Sequence, residues 1–417
     1  MLRFILPWLF LIFFLLLDFY VFQALKVVSF SWSNGTSRKV FTAYWCISFL
    51  SIGLIIWFFL FGSEHRSHIM RNYLFAVVAC LFLAKFISGI FFLIDDIRRM
   101  LQYMASFFIP SLKADDAAGG GISRSVFLSW MGFVTGGGLL GSLIYGFGNR
   151  YRYSVKKIRL RLENLPAVFK GYKIVHISDI HSGSLTDFAA VQRGIELINR
   201  EEADLILFTG DLVNYTAKEM DPYVPLFQKL KGKNGTISIL GNHDYGFPKR
   251  QADTDILELH MANAYEIEKI HNALGWKLLR NDSVSITKGE DQIAIIGVEN
   301  ISARAGFPSY GDLTKAYEKS KNIPFKILMS HDPSHWNAEV TTNFQDIQLT
   351  LSGHTHGMQF GLEIPGFKWS PVKYIYKQWA GLYQENHQNL YVNRGFGFIG
   401  YPGRVGILPE ITVMELV

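Results

Sequence analysis

Apolar residues run almost unbroken through four stretches of the first 149 positions, and then the pattern changes. Residues 4–25, 40–62, 72–94 and 125–148 are each at least as long as the roughly 20 mostly apolar residues that a bilayer-spanning helix needs, so each predicts a transmembrane helix. The first is longer than the apolar core of a signal peptide and no A-x-A-like cleavage site follows it, so it is read as a retained helix. Beyond residue 150 the apolar runs shorten and become rich in β-branched residues: KIVHIS, DLILF, TISIL, IAIIGV, FKILMS and IQLTL. Runs of this length and composition predict strands. Helical patterns over 187–200 and 254–274 alternate with them. The chain therefore divides into a transmembrane region, 1–149, and an α/β domain, 150–417, whose ligand sites are expected beyond the carboxyl ends of strands.

Charge changes this picture in two places. The net charge of +6 and pI near 9.0 come largely from Lys and Arg near the spans, where a bilayer accounts for them. No basic-aromatic ladder accompanies them, so nucleic acid binding is not expected. An even number of spans puts both termini on one side. That side carries Arg3, Arg66, Arg71, Arg150, Arg152, Lys156, Lys157, Arg159 and Arg161, against Lys26, Arg38, Lys39, Arg98, Arg99, Lys113 and Arg124 on the other. Nine against seven tilts the soluble half toward the cytoplasmic face.

Within the spans, Asp18 is the fifteenth residue of the first and Lys85 the fourteenth of the third. Those two helices run in the same direction, so the charges match in depth to about 1.5 Å. The two readings are a pair across the bundle and separate snorkelling to an interface. With only these two charges inside the spans, a transport path finds little support. The fourth span carries small residues four apart, Gly132 and Gly136, Gly137 and Gly141, Gly138 and Ser142. That spacing indicates close helix packing in the bundle, with a dimer contact as the alternative. The two cysteines, Cys46 and Cys80, both lie in apolar runs, which excludes a disulfide framework or a cysteine-zinc site in the soluble half.

Candidate chemistry sits where the strands end. After KIVHIS comes Asp179-Ile180-His181; after DLILFT comes Gly210-Asp211; after TISIL comes Gly241-Asn242-His243-Asp244; after FKILM comes Ser330-His331-Asp332; and after IQLTL comes Ser352-Gly353-His354-Thr355-His356. Asp, His and Asn thus recur at five strand ends in one frame, while His176 and His335 read as ordinary structural histidines. In this order the series D-x-H, G-D, G-N-H-D, H, G-H-x-H resembles the calcineurin-like metallophosphoesterase family, over residues from about 156 to 417. The closing segment YVNRGFGFIGYPGRVGILPEITVMEL resembles the membrane-associated branch of that family.

The resemblance implies an α/β four-layer sandwich of two mixed β-sheets flanked by helices, here preceded by four transmembrane helices. It implies two divalent metal ions, of which Mn2+, Fe, Zn2+ and Mg2+ all suit such ligands. Carried over position by position, Asp179, His181 and His356 hold the first metal, Asn242, His331 and His354 the second, and Asp211 bridges them. His243 touches the phosphate and protonates the leaving oxygen, with Asp244 orienting its ring. The implied activity is hydrolysis of a phosphoester or pyrophosphate bond by in-line attack of a metal-bridging hydroxide. The alternative is a polytopic sensor or scaffold whose domain binds phosphate ligands without turnover. Where the family often has Gly-Gly-Gln, this chain reads Gly357-Met358-Gln359, which the resemblance places as a soft apolar side chain near the metals, with two readings: it narrows the pocket or favours an apolar substrate portion.

The stretch FKWSPVKYIYKQWAGLY, residues 367–383, interleaves Lys368, Lys373 and Lys377 with Trp369, Tyr374, Tyr376, Trp379 and Tyr383. One reading is a contact with lipid headgroups, and with it a lipid-linked substrate; the other is a loop packed on the sheet.

Overall fold

The computed structural model describes residues 2–61, 68–109, 124–247 and 255–417. Gly62, Arg66, Lys113 and Thr254, used in the expectations above, lie outside the described residues. The chain forms two compact units, Met1–Tyr145 and Gly146–Val417.

The first unit contains the four apolar helices, α1 (Leu2–Val28), α2 (Asn34–Phe61), α3 (His68–Ser106) and α4 (Arg124–Gly146). All four are long and apolar enough to cross a membrane, and large apolar side chains such as Leu16, Phe49 and Leu50 face outward. That arrangement suits lipid, not water, as solvent. Inside the bundle Asp18 and Lys85 are buried and paired, with Lys85 Nζ 2.5 Å from Asp18 Oδ1. Ser48 donates to the same carboxylate oxygen at 3.0 Å, and Tyr44 donates to the Asp18 carbonyl at 2.7 Å. Of the two readings of these charges, the pair is the one observed. The glycines of α4 divide: a side chain on Gly132 or Gly136 would collide with Ser88 of α3, whereas Gly137, Gly138 and Gly141 face open space.

The second unit carries strands β1 (Ser154–Leu160), β2 (Lys173–Ile177), β3 (Leu205–Phe208), β4 (Thr236–Ser238), β5 (Lys277–Leu278), β6 (Asp282–Lys288), β7 (Asp291–Gly297), β8 (Lys326–Met329), β9 (Leu349–Ser352), β10 (Leu362–Ile364), β11 (Phe367–Trp369), β12 (Gly381–Glu385), β13 (Gln388–Val392) and β14 (Glu410–Leu416). Its helices include α5 (Phe188–Arg200), α6 (Val224–Phe227), α7 (Ile256–Leu274), α8 (Leu313–Glu318) and α9 (Thr341–Asn343). Two six-stranded mixed sheets form, in the orders β1-β14-β2-β3-β4-β5 and β12-β13-β9-β8-β7-β6, while β10 and β11 pair with each other as a separate hairpin.

Alternation along the strands builds the layers. On β3, Leu205 and Leu207 point into a core shared with Ile327 and Met329 of β8 and Leu349 and Leu351 of β9, which is the space between the sheets. Ile206 and Phe208 point the other way, against Val191, Ile195 and Ile198 of α5 and Ile267 of α7. Leu328 of β8 faces Leu313 of α8 and Trp336 on the far side. The result is helix, sheet, sheet, helix, as the resemblance implied. The central strands are buried on both faces and read as continuous apolar runs, and every loop that carries candidate chemistry leaves the carboxyl end of one of them.

Candidate metal centre

Two helix caps tie the frame down: Asp187 accepts from Ala190 N at the start of α5, and Asp255 from Leu257 N at the start of α7. The site loops are held differently, by unusual backbone. Asp179, His181, Asp211, His354 and His356 all have φ between 48° and 69°, a region that costs a non-glycine residue energy and is tolerated where the surroundings enforce it. Gly210 precedes Asp211 at φ 90°, and a Cβ there would strike the backbone of Gly241. Close approach of the β3 and β4 loops therefore requires glycine.

These loops bring the seven candidate ligands together as two groups. Asp179, His181 and His356 form one, and Asp211, His331 and His354 the other, each with donor atoms within 4.8 Å of one another. His356 Nε2 lies 3.2 Å from Asp179 Oδ1 and 3.0 Å from His181 Nε2. Asp211 Oδ2 stands between the groups, 3.2 Å from His331 Nε2 and 3.5 Å from His181 Nε2. Asn242 Oδ1 joins the second group at 2.8 Å from His354 Nδ1. All of this is buried, apart from a partly exposed His354.

The donor atoms are aimed by their neighbours. His331 Nδ1 donates to the Thr209 carbonyl at 2.7 Å, which leaves Nε2 to face Asp211 without a hydrogen bond. His354 Nε2 is 2.9 Å from the Tyr376 hydroxyl and 3.7 Å from Asp332 Oδ2, which leaves Nδ1 beside Asn242. Such outer contacts fix ring orientation and tautomer in metal sites. Burial raises the cost of charge on Asp211, yet the imidazoles of His331 and His243 outweigh it and hold the carboxyl well below its ordinary range. Burial likewise opposes charge on His331, but Asp211 and Asp179 push it up to about 10. The field at His331 Nε2 thus favours positive charge. A carboxylate and two imidazoles in each group, plus an amide, fit divalent cations of the first transition row and Mg2+.

His243 sits beside this cluster, its ring edge-on to His181 at 4.9 Å and its backbone N–H donating to Asp211 Oδ1 at 2.8 Å. The expected partner of its ring is corrected here. His243 Nδ1 donates to the Asn214 carbonyl at 2.9 Å. Asp244 does not orient that ring: it is fully buried and its oxygens accept from the backbone N–H groups of Asp211, Leu212, Val213 and Gly241 at 2.8 to 3.3 Å. A carboxylate so placed fixes the Asp211 loop to the Asn242 loop. Burial and the nearby Asp211 raise its pKa to about 7.

His176 and His335 are structural, as read from sequence: His176 bonds Thr209 Oγ1 at 2.9 Å, and His335 bonds Ser330 and Glu339. Tyr376 and the Asn214 and Thr209 carbonyls were not foreseen. No role was read for Asp332 either, although its position directly after His331 is a signal that could have found it; Tyr376 stands 20 residues beyond the last paired histidine with no motif to mark it.

Residues 2–149 match the family described as "Probable Calcineurin-like phosphoesterase, transmembrane domain", and residues 172–358 match "Calcineurin-like phosphoesterase". An uncharacterized metallophosphoesterase of Bacillus subtilis, YkuE, is 30% identical over 305 residues, covering 71% of this chain and 98% of the relative. The chain belongs to the calcineurin-like metallophosphoesterase family. An uncharacterized metallophosphoesterase of Helicobacter pylori is 28% identical over 92% of this chain and 95% of its own length. A transmembrane protein with metallophosphoesterase domain from Danio rerio is 29% identical over 66% of this chain, which spans 60% of that relative. This metallophosphoesterase is thus a membrane protein and a metal-dependent phosphoester hydrolase, and its two Asp and His groups are candidate ligands for divalent metal.

Proposed function

We propose that the chain is a membrane-anchored phosphohydrolase working with two metal ions, and that Asp211 is the residue that joins their sites. The position of Asp211 Oδ2 between His331 and His181 carries this reading. Asp179, His181 and His356 would hold one ion and Asn242, His331 and His354 the other. Bound there, two divalent cations would supply acidification of a water and neutralisation of phosphoryl oxygens. The chain's own residues supply the rest. Asp211 and Asp179 set the charge of the cage, and the buried walls exclude bulk water. His243, with Nδ1–H fixed on the Asn214 carbonyl, presents Nε2 for contact with phosphate and for proton delivery to the leaving oxygen.

The substrate proposed is a lipid-linked phosphodiester or pyrophosphate, a reading supported by the four membrane helices. The test is hydrolysis of a generic aryl phosphodiester by the full chain with Mn2+: wild type turns over and Asp211→Asn loses activity. Folded protein that binds phosphate and turns over no ester would favour a non-catalytic role.

A further inference from the structure

The hairpin β10–β11 is built the wrong way round for a domain surrounded by water. Its register pairs Leu362 with Trp369, Glu363 with Lys368 and Ile364 with Phe367, so Leu362, Ile364, Phe367 and Trp369 share one face and Glu363 and Lys368 the other. The polar face is the one turned to the protein. Glu363 is held by Arg394 at 2.9 Å and by Lys156 at 3.2 Å, and Lys368 donates to the Ala380 carbonyl at 2.5 Å and covers the Tyr383 ring. The apolar face looks outward, with Leu362, Ile364 and Phe367 each about half exposed, at 48, 52 and 50%.

The exposed surface continues beyond the hairpin. Trp369 Nε1 donates to the Tyr374 hydroxyl at 3.4 Å, and Tyr374 and Ile375 are exposed at 74 and 47%. The next residue, Tyr376, turns inward, where its hydroxyl meets His354. It packs with Val372 and Trp379 in a small core of its own. Segment 367–383 therefore divides: Val372, Tyr376 and Trp379 pack on the domain, as the loop reading expected, while Phe367, Tyr374 and Ile375 stay exposed. Exposed Lys373 and Lys377 flank this surface and make no ion pair among the described residues.

We propose that this face, Leu362, Ile364, Phe367, Tyr374 and Ile375, is a bilayer-docking edge that seats in the headgroup region of a membrane bearing anionic lipid. A contiguous apolar patch rimmed by basic residues marks an interaction site. Aromatic rings with polar tips, such as Tyr374 and Trp369, suit the boundary between acyl chain and headgroup, and lysines suit an anionic surface. The bilayer is the occupant because the same chain already spans it: residues 147–153 are all that separate α4 from β1, a tether of roughly 25 Å when fully extended. Seating this edge would bring the Tyr376 and His354 side of the metal centre to the level of lipid headgroups. The inference stands without turnover, although it names a surface that a lipid-linked substrate would use.

The test uses the full chain in nanodiscs of phosphatidylcholine and phosphatidylglycerol, with an environment-sensitive fluorescent amino acid incorporated singly at position 367, 374 or, as a control, the exposed Lys321. Lipids carrying a spin label high on the acyl chain should quench positions 367 and 374 at least twofold more than position 321, while iodide in the water should quench position 321 most. Equal lipid quenching at all three positions would overturn the proposal. Because quenching needs no catalysis, a protein that docks and fails to hydrolyse would separate this inference from the proposed activity. A second variant guards against a perturbed hairpin: Ile364→Ser with Phe367→Ser should move the label at position 374 toward the aqueous signal and leave hydrolysis of a water-soluble aryl phosphodiester unchanged. An unmoved label would also count against docking.

Discussion

Lys85 Nζ and Asp18 Oδ1 meet at 2.5 Å inside the membrane unit, 67 residues apart in the chain and both buried. Two isolated charges inside apolar helices are each expensive; paired, and with Ser48 bonded to both, they offset that cost. Lys85→Ala or Asp18→Ala alone strands a buried charge and should destabilise the unit by about 3 kcal/mol. The double variant should be no worse than either single one, and detergent unfolding of all four proteins gives the coupling directly. Simple additivity would mean that the pair contributes nothing as a pair.

His243 is proposed to deliver a proton to the leaving oxygen, and that role makes a demand on leaving groups. His243→Ala should lower kcat by about 100-fold or more for an alkoxide leaving group. For p-nitrophenolate, which leaves without help, the loss should be far smaller. A uniform loss across leaving groups would assign His243 to phosphate positioning.

Asp244 offers a contrast, since it holds backbone and not a ring. Its four N–H partners would be left buried without acceptors in Asp244→Ala, at a cost of about 3 kcal/mol or more. The expected signature is a lowered thermal midpoint together with weakened metal binding, whereas His243→Ala should leave the thermal midpoint near wild type. Equal midpoints in the two variants would mean that the contacts of Asp244 carry little stability.

Acid should weaken the second unit through a histidine that belongs to neither candidate metal group. His271 of α7 is fully buried against Phe208 and Trp276, with Nδ1 2.9 Å from Ser238 Oγ, and burial pushes its pKa down to about 3. An unfolded chain takes up this proton near pH 6.5 and the folded one does not until about pH 3, so the unfolded state gains as pH falls through that window, by about 1.4 kcal/mol per pH unit. His176, lowered to about 4 by burial, acts with the same sign. The thermal midpoint of wild type should therefore fall between pH 6.5 and 4.5, and His271→Gln should flatten part of that fall. An equal slope in both proteins would show that His271 titrates normally.

What the sequence makes legible follows from the range of the forces involved. Periodicity and strand-end position are local properties, and they place Asp179, His181, Asp211, Asn242, His331, His354 and His356 on loops that do converge. Depth matching along two apolar helices made an Asp18–Lys85 pair one of two readings, and the structure decides for it. Partners that depend on how one loop lies against another were not legible. The Asn214 carbonyl beneath the His243 ring, the backbone cradle of Asp244 and the Tyr376 hydroxyl at His354 leave no mark in spacing, because a main-chain carbonyl belongs to every residue. Stretch 367–383 was open to two readings, a lipid contact and a loop packed on the sheet; the β10–β11 hairpin and the outward turn of its apolar face depend on register and burial and were not legible.

Metal content decides the central claim most directly. Full-length protein purified in nanodiscs, stripped with chelator, saturated with Mn2+ and freed of excess should retain two ions per chain by elemental analysis, and Asp211→Asn should retain fewer. A well-folded wild type that binds none, or that binds one ion whose retention is unchanged in Asp211→Asn, would contradict the account.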